Sequence, residues 1–535
     1  MSKKNLPIKV VLQKTEDIYR NNGGGKLKFF GEVTPQLQTE ISGKFESLLT
    51  FYDEVFEENE NVPAIGKVTV KPEAIAKSYK PDDLCRNCPI IGSEELNEIY
   101  IKVKRKAIQE TVALVKNPPS QKFCANMTAI SDIQPIKASE KISDSIVGME
   151  QSDFSLIKDK LKIKIFDFDD DFDNAQIWGY VKRKLEALGL YDDCEIITYG
   201  EHIKFLKLSV RSYEDIVRIA EINGVKSVDF FQEYSLPKED FSLADLQVLL
   251  DCEYAESDIC IGIIDGGISE ENEYLQPYII AKEKYVNEKY QNPHHATFIA
   301  STIQYGNLLN NINSTTCHRF KFVDVIAMPN SDEEYGPTDT ISEYDLMEII
   351  EEVMEKYSDT TKIWNLSLGI ESKRCSGAMS DLGIFLDYIQ DKYQVQIFVS
   401  SGNVNDLPLR TWPPQIELGE HDRLISPADS VRAITVGSVA LFESNDSIVK
   451  FNEPSPFSRR GPGANYVVKP DVVDYGGNLS TSYLIDGLGV KGLDTQGNVI
   501  EGNGTSYSNP RALQKFASIC EEMVEPDLLL AKAML

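Results

Sequence analysis

Three short segments, far apart along the chain, each carry one chemically reactive side chain, and they follow one another in the order Asp, His, Ser. A Ser after Gly-Thr is often a helix cap and an Asp after a strand is often a turn residue, so each segment alone means little. Together they constrain the fold, because a hydroxyl, an imidazole and a carboxylate act as a unit only where a fold brings them together. The segments are Ile261-Gly262-Ile263-Ile264-Asp265-Gly266-Gly267, His295-Ala296-Thr297-Phe298-Ile299-Ala300 and Gly504-Thr505-Ser506-Tyr507-Ser508-Asn509-Pro510.

From about residue 255 the sequence alternates between apolar runs and helical patterns. Ile259–Ile264 is a continuous apolar run, typical of a strand that is buried on both faces. Thr361–Leu368 and Val395–Val399 are predicted strands of the same kind. This alternation predicts a parallel α/β sheet, in which sites lie at the carboxyl ends of strands. Asp265 and Asn403 both follow such a predicted strand end.

The three side chains have the chemistry of a nucleophile with its base. Ser506 is the candidate nucleophile, since a serine hydroxyl becomes reactive when a base removes its proton. His295 is the candidate base, and Asp265 would hold its tautomer and stabilise the imidazolium. His294 is adjacent and is the alternative base, although it precedes the segment that matches the pattern.

A fourth segment, Phe398-Val399-Ser400-Ser401-Gly402-Asn403, lies between the His and Ser segments. The amide of Asn403 would donate to a developing oxyanion beside the backbone N–H of Ser506; the alternative reading is an ordinary Gly-Asn turn. The segment from Tyr507 to Phe516 is predicted to be a helix with Pro510 in its first turn, which would place Ser506 at a helix N-terminus.

The first half of the chain has a different organisation. Residues 1–150 are predicted to form an accessory region with a polar linker over about 130–155. Residues 155–238 have the order β-α-β-β-α-β, which predicts a ferredoxin-like unit. Ser212 and Asp215 have the spacing of a capping box and predict the start of its second helix. Residues 245–535 would form the catalytic unit. Cys85 and Cys88 form one close pair, but neither a second such pair nor a nearby His completes a zinc site.

Composition excludes several classes of function. The formal net charge is −29, and the absence of a basic stripe argues against nucleic-acid binding. No run of 18 apolar residues and no secretory signal is found, so we expect no membrane partner. The nine cysteines are an odd number scattered over a long chain, which is typical of reduced thiols in the cytoplasm.

These segments resemble the subtilase family of subtilisin-like serine peptidases (S8), and the resemblance covers about 255–520. It rests also on Ser426-Pro427-Ala428, Ile434-Thr435-Val436-Gly437, Phe457-Ser458-Arg459-Arg460-Gly461-Pro462 and Lys469-Pro470-Asp471-Val472-Val473, which follow in the family's order. The resemblance implies an α/β fold with a three-layer, seven-stranded parallel-sheet catalytic domain. It implies endopeptidase activity on a protein or peptide substrate through an acyl-enzyme.

The resemblance also assigns roles beyond the three reactive residues. Ser367, Leu368 and Gly369 are expected to pair with an extended substrate, as in strand addition, and Ser401 and Gly402 to line the same cleft. The ferredoxin-like unit is similar to the family's inhibitory propeptide. The segment from Tyr234 to Phe241 would then lie near the active site and be a place of self-cleavage.

Three N-terminal blocks resemble a group of bacterial intracellular subtilases that are encoded beside an AAA+ ATPase in anti-phage defence modules. They are Arg20-Asn21-Asn22-Gly23-Gly24-Gly25, Lys71-Pro72-Glu73-Ala74-Ile75-Ala76-Lys77-Ser78 and Cys88-Pro89-Ile90-Ile91-Gly92. This resemblance implies an AAA+ ATPase partner. No cofactor is expected. Calcium is common in subtilases, but its ligands lie in variable loops, so we assign no metal ligand.

The sequence departs from the family at four places. Gly266 replaces the usual Ser or Thr, Ala296 the usual Gly, and Asn509 the common Ala, and only 29 residues follow Ser506. The short C-terminal stretch favours an alternative, an inactive subtilase-like module that binds peptides. A third reading, a hydrolase of esters or lipids, lacks a Gly-x-Ser-x-Gly elbow at the nucleophile.

Overall fold

The computed structural model describes residues 27–535 except 76–78, 94–96, 148–160, 193, 201–202, 238–240, 244–253, 313–317, 331–335, 337, 339, 370–374, 376 and 415–420. The Arg20–Gly25 block lies outside the described residues, as do parts of the Lys71–Ser78 block. The described residues divide into two compact units, one that ends at residue 231 and one that spans 232–535. No helix among the described residues is long and apolar enough to cross a membrane.

The N-terminal unit contains two four-stranded sheets, and a continuous hydrophobic core that includes Phe45, Val68, Ile163 and Ile177 runs through both. Its strands are β1 (Ala64–Val70), β2 (Ile90–Gly92), β3 (Glu98–Val103), β4 (Ile130–Pro135), β5 (Leu161–Ile165), β6 (Glu195–Tyr199), β7 (Ile203–Leu208) and β8 (Val225–Phe230). Its helices are α1 (Pro35–Phe51), α2 (Asp53–Glu58), α3 (Arg105–Lys116), α4 (Gln121–Ala129), α5 (Ala138–Lys141), α6 (Asp144–Val147), α7 (Asp171–Ala187) and α8 (Tyr213–Glu221).

The second sheet of this unit has the predicted ferredoxin-like topology. Its strand order is β6-β7-β5-β8, and these strands pair antiparallel throughout. Helix α8 begins at the predicted place, because Ser212 and Asp215 form a reciprocal capping box. Gly224 follows this helix with a positive φ of 93°, and the chain then enters β8.

The polar linker predicted over 130–155 is wrong for most of its described residues, since 130–135 form β4, which pairs with β1, and α5 and α6 follow at 138–141 and 144–147. Register shifts by one residue where Thr69 faces Asp132 and Val70 faces Ile130. This bulge lets Ile130 and Ile133, three residues apart, both be buried. The pattern therefore breaks the two-residue period by which a strand is recognised in sequence.

The C-terminal unit is built on a seven-stranded sheet with the order β12-β13-β11-β15-β16-β17-β18, and all of its pairings are parallel. The predicted fold class is confirmed. The seven strands are β11 (Ala255–Asp265), β12 (Ile279–Lys284), β13 (His318–Ile326), β15 (Ile363–Leu366), β16 (Gln396–Ser400), β17 (Ile434–Val439) and β18 (Val472–Tyr475). Its helices are α9 (His294–Leu309), α10 (Glu343–Tyr357), α11 (Asp381–Tyr393), α12 (Thr505–Glu522) and α13 (Leu528–Met534).

The strand order switches sides at β11, since β12 and β13 lie on one side of it, with β13 between β11 and the edge strand β12, and the chain then continues on the other side with β15. In open parallel sheets such a switch point opens a crevice at the carboxyl ends of the strands. Asp265, the last residue of β11, lies at that point.

Two small sheets complete the unit. One pairs β9 (Glu233–Tyr234) with β14 (Ile341–Ser342), and the other has the order β10-β20-β19. The latter joins β10 (Phe241–Leu243), β19 (Val490–Leu493) and β20 (Val499–Gly502). Strand β20 leads directly into the segment that carries Ser506.

Candidate active site

Asp265 and His295 form a buried pair at the switch point of the sheet. Asp265 ends β11, and His295 lies in the first turn of α9. The imidazole Nδ1 is 2.8 Å from Asp265 Oδ2 and 3.0 Å from Oδ1. The two side chains are 0% and 1% exposed. A carboxylate in this position fixes Nδ1 as the protonated nitrogen, which leaves Nε2 to act as a base.

Backbone hydrogen bonds hold Asp265 at the end of its strand. The N–H groups of Ala327 and Met328 both donate to its carbonyl oxygen, and Gly266 N donates to its carboxylate at 2.7 Å. A methyl group added at Gly266 would lie 2.5 Å from the Asn292 carbonyl oxygen. This close approach explains why the chain has Gly where the family has Ser or Thr.

Ser506 is the second residue of α12 and is 4% exposed. Gly504 enters the helix with a φ of +157° and ψ of 155°, a conformation that residues with a side chain rarely adopt. The helix begins two residues earlier than predicted, so Pro510 lies in its second turn and not in its first. The first-turn prediction for Pro510 is therefore wrong.

The position of Pro510 has a consequence for Ser506. Proline has no N–H to bond the carbonyl four residues earlier, which here belongs to Ser506. The hydroxyl of Ser367 donates to that carbonyl at 3.4 Å. A residue that was predicted to pair with substrate thus also supports the backbone of the candidate nucleophile.

Asn403 lies in the loop after β16, and its amide is oriented by Thr505. Asn403 Oδ1 accepts from the Thr505 N–H and from its hydroxyl, both at 2.9 Å. Gly402 N donates to the same Thr505 hydroxyl at 3.2 Å. Because its Oδ1 is engaged, Asn403 directs Nδ2 toward Gly504, and Nδ2 lies 3.3 Å from the position that a Cβ atom on Gly504 would occupy. The amide N–H groups therefore face the backbone that precedes Ser506.

Asn509 belongs to a buried polar network that sequence reasoning did not identify. Its Nδ2 donates to Asn365 Oδ1 at 3.0 Å, Ser367 Oγ at 3.1 Å and the Phe398 carbonyl at 3.2 Å. Asn365, Ser367 and Asn509 are each 0% exposed. The network ties α12 to β15 and β16, which explains the departure from the common Ala. That departure was the one signal that pointed to Asn509.

Asp324 is a second buried carboxylate near the pair, and the sequence analysis missed it. It lies on β13 opposite Ile263, 0% exposed. Both of its oxygens accept from Ile268 N, at 3.1 and 3.0 Å, and Lys282 Nζ is 3.2 Å away. Burial raises its pKa to about 6, with Lys282 opposing the shift and Asp265 adding to it.

The remaining predicted residues line the same end of the sheet. Ser401 is 0% exposed, and its N–H donates to the Val436 carbonyl at 3.0 Å. Gly402 and Gly369 both lie against the Ile425 side chain. Leu368 is buried. Burial lowers the pKa of His294, and it is His295, not its neighbour, whose ring bonds Asp265 in the described contacts.

One segment of the chain itself runs through this region. Ser235 forms an antiparallel bridge to Gly369, while Tyr234 and Glu233 pair with Ile341 and Ser342 of β14. Leu236 Cδ1 lies 3.2 Å from where a side chain on Gly266 would begin. The extended segment 233–236 therefore ends beside the residue that follows Asp265.

The fold is thus a parallel α/β sheet that carries a buried Asp–His pair at its switch point. A sequence profile of the Subtilase family matches residues 256–527, about half of the chain. The chain belongs to the Subtilase family of serine peptidases.

The chain is similar to the uncharacterized protein y4bN of Sinorhizobium fredii, with 33% identity over 183 residues, which cover 28% of this chain and 42% of that protein. It thus spans less than half the length of that relative. Among solved structures it is similar to the patellamide maturation protease PatA, with 17% identity, 53% and 87% coverage of the two chains and a TM-score of 0.35. It also resembles the epidermin leader peptide processing serine protease EpiP from Staphylococcus aureus, with 14% identity, 70% and 91% coverage and a TM-score of 0.43.

Proposed function

We propose that this protein is a serine endopeptidase in which Ser506, His295, Asp265 and Asn403 carry out the reaction. The observation that carries the proposal is the buried His295–Asp265 pair, with Nδ1 and Oδ2 2.8 Å apart. A pair of this kind, excluded from water at the carboxyl end of a parallel sheet, is suited to hold an imidazole as a base. The Thr505–Asn403 contacts give further support, because they link the candidate oxyanion donor to the residue that precedes Ser506.

In the proposed reaction Ser506 Oγ attacks the scissile carbonyl carbon and gives its proton to His295 Nε2. The negative oxygen of the tetrahedral intermediate accepts from Asn403 Nδ2 and from the Ser506 N–H, one of the N–H groups that a first helical turn leaves without an intrahelical acceptor. The C–N bond breaks as His295 returns its proton to the leaving amine. Water then attacks the acyl-enzyme along the same route and restores Ser506.

Labelling with a fluorophosphonate tests the proposal directly. Purified wild type is compared with Ser506→Ala, and the adduct is located by intact mass and peptide mapping. We expect one adduct on Ser506 in the wild type and none in the variant. If the wild type stays unlabelled in full-length and proteolytically trimmed forms, the inactive peptide-binding module becomes the better description.

We also propose that the segment 233–236 is the chain's own occupant of the substrate cleft and that the ferredoxin-like unit before it acts as an inhibitory propeptide. The pairing of Ser235 with Gly369, the residue predicted to bind substrate, supports this. Self-cleavage would fall between Tyr234 and Phe241. An N-terminal fragment that ends in this interval should accumulate with the wild type and not with Ser506→Ala. Retention of the full mass by a labelled, active protein would contradict self-cleavage.

We further propose that the protein works in the cytoplasm with an AAA+ ATPase encoded beside it, in an anti-phage defence module. The N-terminal sequence blocks support the pairing. The seven described cysteines are free thiols and five of them are buried, as is common for proteins of a reducing compartment. Co-expression with the neighbouring ATPase should yield a co-purifying complex whose fluorophosphonate labelling depends on ATP. Labelling that is indifferent to the ATPase would argue against the pairing.

A further inference from the structure

Tyr234 is the anchor of the segment that runs through the cleft. Its side chain is 0% exposed, although its strand, β9, is only two residues long. Pairing with segments on both sides holds this short strand in place. On one side the segment pairs with β14, where Glu343 N also donates to the Gln232 carbonyl at 2.7 Å. On the other side the next residue, Ser235, bridges to Gly369. The segment is thus inserted as a middle strand between two parts of the catalytic unit.

The phenol of Tyr234 ends in a polar socket. Its hydroxyl lies 2.9 Å from Ser426 Oγ and donates to Glu343 Oε1 at 3.4 Å. Ser426 is 1% exposed and Glu343 is 2% exposed, so water does not compete for either contact. Burial raises the pKa of the Tyr234 phenol well above its usual range, which keeps the hydroxyl protonated as a donor. We call Ser426 and Glu343 the tyrosine socket.

The socket has a defined place relative to the candidate chemistry. Leu236, two residues after Tyr234, lies against Gly266, which follows Asp265. In an extended strand residues i and i+2 project to the same face. A bound chain that follows the path of this segment therefore places one side chain in the socket and a second, two positions later, against Gly266, the residue that follows Asp265.

We propose that Ser426 and Glu343 are specificity-determining residues, and that the substrates are polypeptides with an extended Tyr-x-Leu-like segment whose tyrosine enters this socket. The inference rests on the proposed function, since it assumes that substrate follows the path of residues 233–236. A site built around a hydroxyl discriminates strongly against the analogue that lacks it, because its buried polar groups are left unpaired. Phenylalanine should therefore bind roughly 10- to 100-fold more weakly than tyrosine.

The test is a binding measurement that does not depend on catalysis. The full-length Ser506→Ala protein also carries Tyr234→Ala, which empties the socket. A fluorescein-labelled synthetic peptide with the sequence of residues 230–243 is titrated by anisotropy, beside the same peptide with Phe at position 234. We expect a tyrosine preference of 10- to 100-fold. Adding Ser426→Ala should reduce the preference to below about threefold, while Ser518→Ala on the far part of α12 should leave it unchanged.

Equal affinities of the two peptides, or no saturable binding of either, would overturn the inference. If Tyr234→Ala does not fold, Tyr234→Phe replaces it, and the Tyr peptide must then displace the native segment at lower concentration than the Phe peptide. Fluorophosphonate labelling of Ser506 separates the two hypotheses. Labelling without a tyrosine preference would refute the specificity role of the tyrosine socket and support the peptidase function. A tyrosine preference without labelling would support that role and indicate a peptide-binding module.

Discussion

At the scale of single residues, the departures from the family pattern have local causes. A side chain at Gly266 would meet the Asn292 carbonyl. Ala296 is 0% exposed in the core beneath α9, where its methyl group adds packing. Asn509 joins α12 to two strands. The surrounding residues accommodate each of these three side chains, and the hydrogen bond between Asp265 and His295 is present. We therefore interpret these changes as compatible with the proposed activity.

The carboxylate of Asp265 is expected to act through its charge and its hydrogen bond to Nδ1. Asp265→Asn keeps the shape but favours the wrong imidazole tautomer, so kcat should fall by on the order of 10⁴-fold with an unchanged circular dichroism spectrum. The measurement is steady-state cleavage of a fluorogenic peptide. Asp359→Asn, an exposed carboxylate of the same unit, serves as the control. A loss of less than tenfold would show that Asp265 is not the orienting group.

Two substitutions can separate the two roles of Asn403, as a donor to the oxyanion and as an acceptor of the Thr505 hydrogen bonds. Asn403→Asp retains an oxygen for the Thr505 bonds but removes the amide N–H groups, so kcat should fall about 100- to 1,000-fold while KM changes little. Thr505→Val removes both bonds of the Thr505 hydroxyl, to Asn403 Oδ1 and from the Gly402 N–H, but keeps the Asn403 amide, so we expect a smaller loss. Should both variants lose activity equally, Asn403 would be a structural residue and not an oxyanion donor.

Asp324 should make stability depend on pH in an unusual direction. Its folded pKa of about 6 lies above its ordinary value of 3.8, so between these values the folded protein holds more protons than the unfolded chain. This group therefore lowers stability as pH rises through about 4 to 6, by roughly 3 kcal/mol in total. Urea denaturation of Asp324→Asn and of the wild type, followed by fluorescence, measures this effect. The midpoint of the variant minus that of the wild type should increase as pH rises from 4 to 7. A difference that is constant with pH would contradict the assignment.

At the scale of elements, α12 is adapted to carry Ser506. Proline in its second turn removes one internal hydrogen bond, and Ser367 on the neighbouring strand end supplies a replacement. Ser367 in turn belongs to the network with Asn365 and Asn509. The backbone of Ser506, the candidate nucleophile, is thereby held by the sheet as well as by its own helix.

This coupling predicts non-additive stability. Ser367→Ala leaves buried polar groups unpaired and should cost about 1–3 kcal/mol in the free energy of unfolding. Pro510→Ala supplies the missing N–H to the Ser506 carbonyl, so the double variant should lose about 1 kcal/mol less than the sum of the single changes. Urea denaturation of all four proteins measures the cycle. Ser518→Ala in place of Ser367→Ala should be additive with Pro510→Ala, and additivity in both cycles would exclude the coupling.

Element boundaries show where sequence reasoning succeeds and fails. The strand that ends at Asp265 and the helix capped by Ser212 are set by local patterns, an apolar run and a capping box, and both were predicted. Strand β4 was not, because its buried residues are spaced by a bulge that exists only in the pairing with β1. Asp324 was missed for the same kind of reason, since its environment is built by residues distant in sequence.

At the scale of the whole molecule, the order of the sheet could be predicted only through the family resemblance. Alternating strands and helices indicate a parallel sheet, but no local sequence pattern predicts that β11 lies between β13 and β15. The Asp, His and Ser segments specified which residues should meet. The place where Asp265 and His295 pair follows from the switch in strand order, which is a property of the complete topology.

The dispersal of the site along the chain has a consequence for its synthesis. Asp265 and Ser506 are roughly 240 residues apart, which a ribosome takes about 12–50 s to translate. During that interval β9 and its tyrosine have already been made, whereas α12 and β20 have not. The candidate site is therefore incomplete on a nascent chain until α12 has been synthesised and has docked on the sheet, because Ser506 lies in the first turn of that helix.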